Sequence, residues 1–192
     1  MNIVVKMTRK ANLAWYGAAS AQGISLPIEE YLRGVVPSEL SESSPMEALC
    51  AQAIAARTYA LKRAAAGISI TDTANHQAYR CDRIAKSSRS QKAVAETAGQ
   101  VLGYEGKPID CFYSSSNGGI TKRSGEVWRR DYPYYVHRED AWDNAYRSER
   151  TARLSHGVGM SQVGAIWAAR NGISAADILA FYYVGTALMH FE

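Results

Sequence analysis

At 192 residues and 47% hydrophobic content, the chain can bury one sizeable core and is expected to form a single domain over residues 1–192; this composition excludes a disordered polymer. No run of about 18 apolar residues exists, which excludes a membrane-spanning helix on sequence grounds. The net charge of +4 is scattered, and its densest patch, Lys122-Arg123 with Arg129-Arg130, is interrupted by Glu126 and Asp131, so a nucleic-acid footprint is not expected.

In chain order, strand patterns are predicted at 2–6, 68–71, 100–104, 109–113 and 187–191. Helices are predicted at 28–36, from about 46 to 66, and at 89–98, 160–170 and 175–183. Without a βαβ rhythm, these elements predict an α+β fold: one long central helix, several shorter ones and a mainly antiparallel sheet. Ser44-Pro45-Met46-Glu47 has the spacing of a capping box with proline at the first helical position. On the helix that follows, Met46, Leu49, Cys50, Ala53, Ala60, Leu61 and Ala64 share one side. Asn171-Gly172 is a helix stop, and Ser174 with Asp177 a helix start. Residues 132–153 are polar and turn-rich.

Several polar groups stand where a plain core would not want them. Arg57 falls inside the apolar stripe of the long helix, and an inward guanidinium needs a carboxylate or other acceptors. Glu39, in Val35-Val36-Pro37-Ser38-Glu39-Leu40, is the carboxylate of an otherwise uncharged hexapeptide. A working site and a structural ion pair both fit that pattern. Ser114-Ser115-Ser116-Asn117-Gly118-Gly119 follows an apolar strand; it fits a ligand cradle of hydroxyls and backbone N–H groups, or an ordinary hairpin turn. His156, amid Gly157 and Gly159, allows close backbone approach to a ligand or a structural role. Ser161 lacks the second glycine of a nucleophile elbow, and no Asp is obviously partnered with His156, so a serine hydrolase is not expected. Cys50, Cys81 and Cys111 are an odd count at irregular spacing, which is no disulfide framework. His76 and Cys81, with Cys111 as a conceivable third ligand, leave a zinc alternative open, but no metal or other cofactor is expected.

The blocks 26–39 and 47–60, then His76-Gln77-Ala78-Tyr79, Tyr113 to Gly119, His156 to Gln162 and 178–186, resemble the stage II sporulation protein D family, to which amidase-enhancer proteins belong. They occur in the family's order across a motif-bearing core of residues 26–187. The resemblance implies a lytic transglycosylase that degrades peptidoglycan glycan strands, with Glu39 as the acid. It implies a substrate groove drawn from Arg57, Gln77, Tyr79, Ser114, Ser115, Ser116, Gly118, Gly119, His156, Gly157, Gly159, Ser161 and Gln162. Arg57 would orient Glu39 or grip substrate. It further implies a preference for strands denuded of stem peptides, and action outside the cytoplasm. The alternative is a non-catalytic wall-binding module that stimulates a partner amidase. A monomer is expected. The segment Met1 to Met7 has no signal-peptide pattern, which leaves three routes to the wall: a leader outside this chain, a phage particle, or lysis.

Overall fold

The computed structural model describes residues 1–146 and 155–191. Its fold is α+β, organised around a helix at Met46–Ala65. Every residue of that helix from Ala48 to Leu61 is buried, so the apolar stripe expected on one side is instead a cylinder enclosed all round. The alanines make this feasible: with small side chains on several faces, neighbouring elements approach closely from each direction. Those neighbours include the helices Ile28–Glu39, Ser88–Glu96, Gln162–Arg170 and Ala175–Tyr182 and the strand Gln100–Tyr104.

The expected capping box does not form. Pro45 is the residue before the helix, and no side chain caps it. Glu47 turns to another helix: its Oε2 accepts the N–H of Ala175 at 2.7 Å. A carboxylate in one helix's first turn thus satisfies the first turn of a second, where the dipole favours negative charge. The Asn171-Gly172 stop and the Ser174 start do occur as expected, with Gly172 at φ +82° and Ser174 Oγ accepting the Asp177 N–H.

The helix predicted to stop before Pro37 runs on to Glu39. Proline cannot donate to the carbonyl four residues back. That carbonyl, on Arg33, accepts instead from Gln91 Nε2 at 3.0 Å, and the Ser38 hydroxyl donates to Gly34 O at 2.6 Å. Glu39 is therefore carried on a helical turn repaired from outside.

The strands form small, mostly antiparallel sheets. Asn2–Lys6 lies between Ile24–Pro27 and Ile70–Thr71, and Gln100–Tyr104 between Ala187–His190 and Lys107–Pro108. A short parallel pair matters most for function: Tyr113 is in register with Met160, and Ser114 with Ser161. Helices at Lys10–Tyr16, Ser124–Val127 and Ala141–Tyr146 were not legible in the sequence pattern. The last of these interrupts the turn-rich stretch 132–153, whose residues 147–153 lie outside the described residues. No helix among the described residues is long and apolar enough to cross a membrane.

Candidate active site

Glu39 ends its helix half-buried, at the floor of a cavity of about 170 Å³ lined by His76, Tyr113, Ser114, Ser115, His156 and Gln162, among others. Its Oε1 accepts the Ala78 N–H at 2.8 Å, and its Oε2 accepts from Gln162 Nε2 at 3.1 Å. Burial raises its pKa above the ordinary carboxylate value, and these two hydrogen bonds, with the more distant Arg9, only moderate the rise. Among the described residues Glu39 forms no ion pair, so neutral donors hold it. Gln162 Nε2 also donates to Gln52 Oε1 at 3.2 Å, which fixes which end of the Gln162 amide faces Glu39.

The parallel strand pair brings the Ser-rich segment to the His-Gly segment. His156 is locked between them: Val158 N–H donates to its Nδ1 and its Nε2–H donates to Tyr113 O, both at 3.1 Å. Those partners assign a neutral imidazole with the proton on Nε2. Burial pushes its pKa down in the same sense. His76 Nδ1 accepts the Thr71 N–H at 3.2 Å, and burial followed by the charge of Arg63 lowers its pKa too. Past the two histidines the cavity continues into a cleft of about 480 Å³ walled by Tyr59, Phe112 and Trp128, with Arg63 on its lining.

Several residues expected in the groove stand elsewhere. Arg57 does not approach Glu39. It forms a two-pronged pair with Glu29, at 2.6 and 2.9 Å, and its other N–H groups go to Thr97 Oγ1, Gln100 O and Val94 O. All five guanidinium donors are thus engaged within the protein, which answers the burial cost raised by the sequence and removes Arg57 from the groove. Tyr79 is fully buried, stacked on Tyr31 at 5.3 Å and hydrogen-bonded to Tyr16; it fills the space that Gly34 leaves by lacking a side chain. Gln77 is buried behind the cavity, donating to Tyr113 OH and Ala56 O.

The converging N–H groups of the Ser-rich loop do meet an anion, but an internal one. Asp143 accepts from Ser116 Oγ, Asn117 N, Gly119 N and Ser161 Oγ, and Asp140 accepts from Asn117 Nδ2 and Tyr182 OH. Gly118 N–H folds back onto Ser116 Oγ. Ser116, Gly118, Gly119 and Ser161 therefore build the scaffold, while Ser114 and Ser115 face the cavity. Ser161 also caps the helix Gln162–Arg170. Gly159, at φ +75°, rejects bulk because a Cβ would collide with the Phe112 carbonyl, not because a sugar needs the space. Gly157, at φ +76°, packs beside Lys122. Among the described residues no three metal-binding groups converge; His76 faces Thr71, and Cys81 Sγ faces Ala11 O.

Two groups of residues that build the candidate site and its scaffold were not read from the sequence. The cleft aromatics Tyr59, Phe112 and Trp128 are far apart in sequence and carry no common motif. Asp140 precedes the helix Ala141–Tyr146, and its Oδ1 accepts from Trp142 N and Asp143 N, but without that helix in the sequence pattern it carried no signal.

A Stage II sporulation protein family model matches residues 19–104, the segment that holds Glu39 and the central helix. The Amidase enhancer of Bacillus subtilis is 43% identical over 112 residues, covering 58% of this chain and 15% of that protein. Stage II sporulation protein D of Bacillus amyloliquefaciens is 33% identical over 137 residues, 62% of this chain and 40% of its own length. Stage II sporulation protein D of B. subtilis is 24% identical across 90% of this chain and 77% of the relative. The chain spans less than half the length of the first two relatives, and over the matched segment, which includes Glu39, it is similar to the stage II sporulation protein D and amidase-enhancer proteins.

Proposed function

We propose that this chain is a lytic transglycosylase that cleaves the MurNAc–GlcNAc bond of peptidoglycan outside the cytoplasm. One observation carries the reading: Glu39 is the only carboxylate among the described residues lining the cavity and cleft, and burial raises its proton affinity. A hydrolytic glycosidase generally needs a second carboxylate to activate water or attack the sugar. A lytic enzyme does not, because the muramic 6-hydroxyl is the nucleophile. Protonated Glu39 gives its proton to the glycosidic oxygen as the C1–O bond breaks. The 6-hydroxyl oxygen bonds to C1 and returns its proton to the carboxylate, leaving a 1,6-anhydro end with no water consumed. Gln162 and Ala78 N–H hold the carboxylate in place, while Ser114, Ser115 and neutral His156 line the space above it.

The name of the 43%-identical relative favours a second reading, in which the groove binds glycan and stimulates a partner amidase without cutting. Mass spectrometry of sugars released from purified glycan strands separates the two. Anhydro ends support the lyase, reducing ends point to a hydrolase, and strand binding without products supports the enhancer.

A further inference from the structure

The cleft beside the acid cavity has a wall built in a continuous order. The Arg63 guanidinium lies over the Tyr59 ring at 4.8 Å. Tyr59 meets Phe112 edge-on at 6.3 Å, Phe112 meets Trp128 at 4.6 Å, and Trp128 meets His156 at 5.1 Å. Imidazole at one end borders Glu39, and guanidinium closes the other. Trp128 remains 38% exposed despite these contacts, so ring surface is presented to the cleft. Exposed aromatic faces beside a polar cavity suit pyranose rings, whose C–H faces are apolar and whose edges are polar.

Charge narrows the ligand further. Arg63 is the only Lys, Arg, Asp or Glu among the described residues lining the cleft, and both histidines there accept a backbone N–H at Nδ1, as a neutral imidazole does. Asp110 anchors Arg63 from behind, with Oδ1 at 3.4 Å, and Tyr132 OH occupies the other oxygen of that carboxylate. Asp110 is buried and off the cleft surface, whereas the Arg63 side chain is 22% exposed. A guanidinium so anchored and open on one side can still take a carboxylate in the plane of its fork.

We infer that this cleft is a subsite for an acidic pyranose of the strand, with Trp128 and Phe112 against the ring and Arg63 pairing with its carboxylate. This rests on the glycan-cleaving reading above, under which the acidic group is the lactyl carboxylate of a muramic residue. That group is ionised only where no peptide is attached to it.

Titration calorimetry on the Glu39→Gln protein, which leaves ligand intact, provides the test. The probes are a GlcNAc–MurNAc tetrasaccharide with free lactyl carboxyls and its methyl ester. The free acid is expected to bind about tenfold or more tighter than the ester. Arg63→Met in the same background should bind both alike, at the ester's original affinity, which shows that the cleft is intact. Arg63→Lys should restore part of the preference. Equal binding of acid and ester with Arg63 present overturns the subsite while leaving the catalytic reading standing. Failure of both ligands to bind the folded protein overturns both.

Discussion

On the helix Ile28–Glu39, a glutamate in the first turn and the one that ends it live in opposite electrostatic worlds. Glu29, in the first turn, meets the Arg57 guanidinium through both oxygens. Glu39, in the last turn, meets a backbone amide and a glutamine, and burial raises its proton affinity. The side chains are chemically identical, and their partners decide their use. A carboxyl group desolvated among neutral donors holds its proton to higher pH than one in water, which is the property a general acid needs.

The largest effect should fall on Glu39. Glu39→Gln preserves shape and removes the proton, so release of anhydro sugars should drop by about 10²-fold or more, while circular dichroism stays unchanged. In the parent, cleavage should decline as pH rises through the elevated pKa of Glu39, because the acid form is lost. Parent-like turnover by the variant would make Glu39 structural and erase the contrast.

Arg57→Met should act on stability instead. Val94 O, Gln100 O and Thr97 would lose a donor, while Glu29, still 45% exposed, could turn to water; the expected loss is about 2–4 kcal/mol. Denaturant midpoints measure the loss, and activity per folded molecule should persist. A variant that folds normally but cannot cleave would return Arg57 to the site.

The smallest effect is a slope. The native state binds the Glu39 proton more tightly than the unfolded chain, so native stability falls as pH rises from the ordinary value of 4.5 toward the raised native pKa. Glu39→Gln lacks that titration. Relative to it, the parent should lose stability across this window and run parallel above it, as followed by urea melts at successive pH values. A rise of the parent over the variant would mean that Glu39 is ion-paired after all.

How far the sequence could be read depended on whether the deciding contact was local. The helix Ala175–Tyr182 and the strands Asn2–Lys6 and Gln100–Tyr104 follow from periodicity and caps a few residues apart. Arg57 was legible as a buried charge, but its partner was not: Glu29 is 28 residues away on another helix, and Glu39 looked equally suitable. The Ser-rich loop was legible as a place where N–H groups converge. What they converge on, Asp143, lay in a stretch that read only as polar. Glu47 had the spacing for a local cap and caps a helix 128 residues away instead. Each miss is a competition between a nearby partner and a distant one, which spacing alone does not decide.

The Gln162–Glu39 hydrogen bond spans 123 residues, and the Glu47–Ala175 bond spans 128. Both join the segment holding Glu39 and Glu47 to the helices Gln162–Arg170 and Ala175–Tyr182, and the cavity wall itself includes His156 and Gln162. Long loops close late, because their ends pay the closure entropy before any contact repays it. During synthesis Glu39 precedes its donor Gln162 by 123 residues, and Ser155 and His156 of the cavity wall also follow long after it. A chain synthesised only as far as the Ser-rich segment therefore holds Glu39 without the His156 and Gln162 side of its cavity.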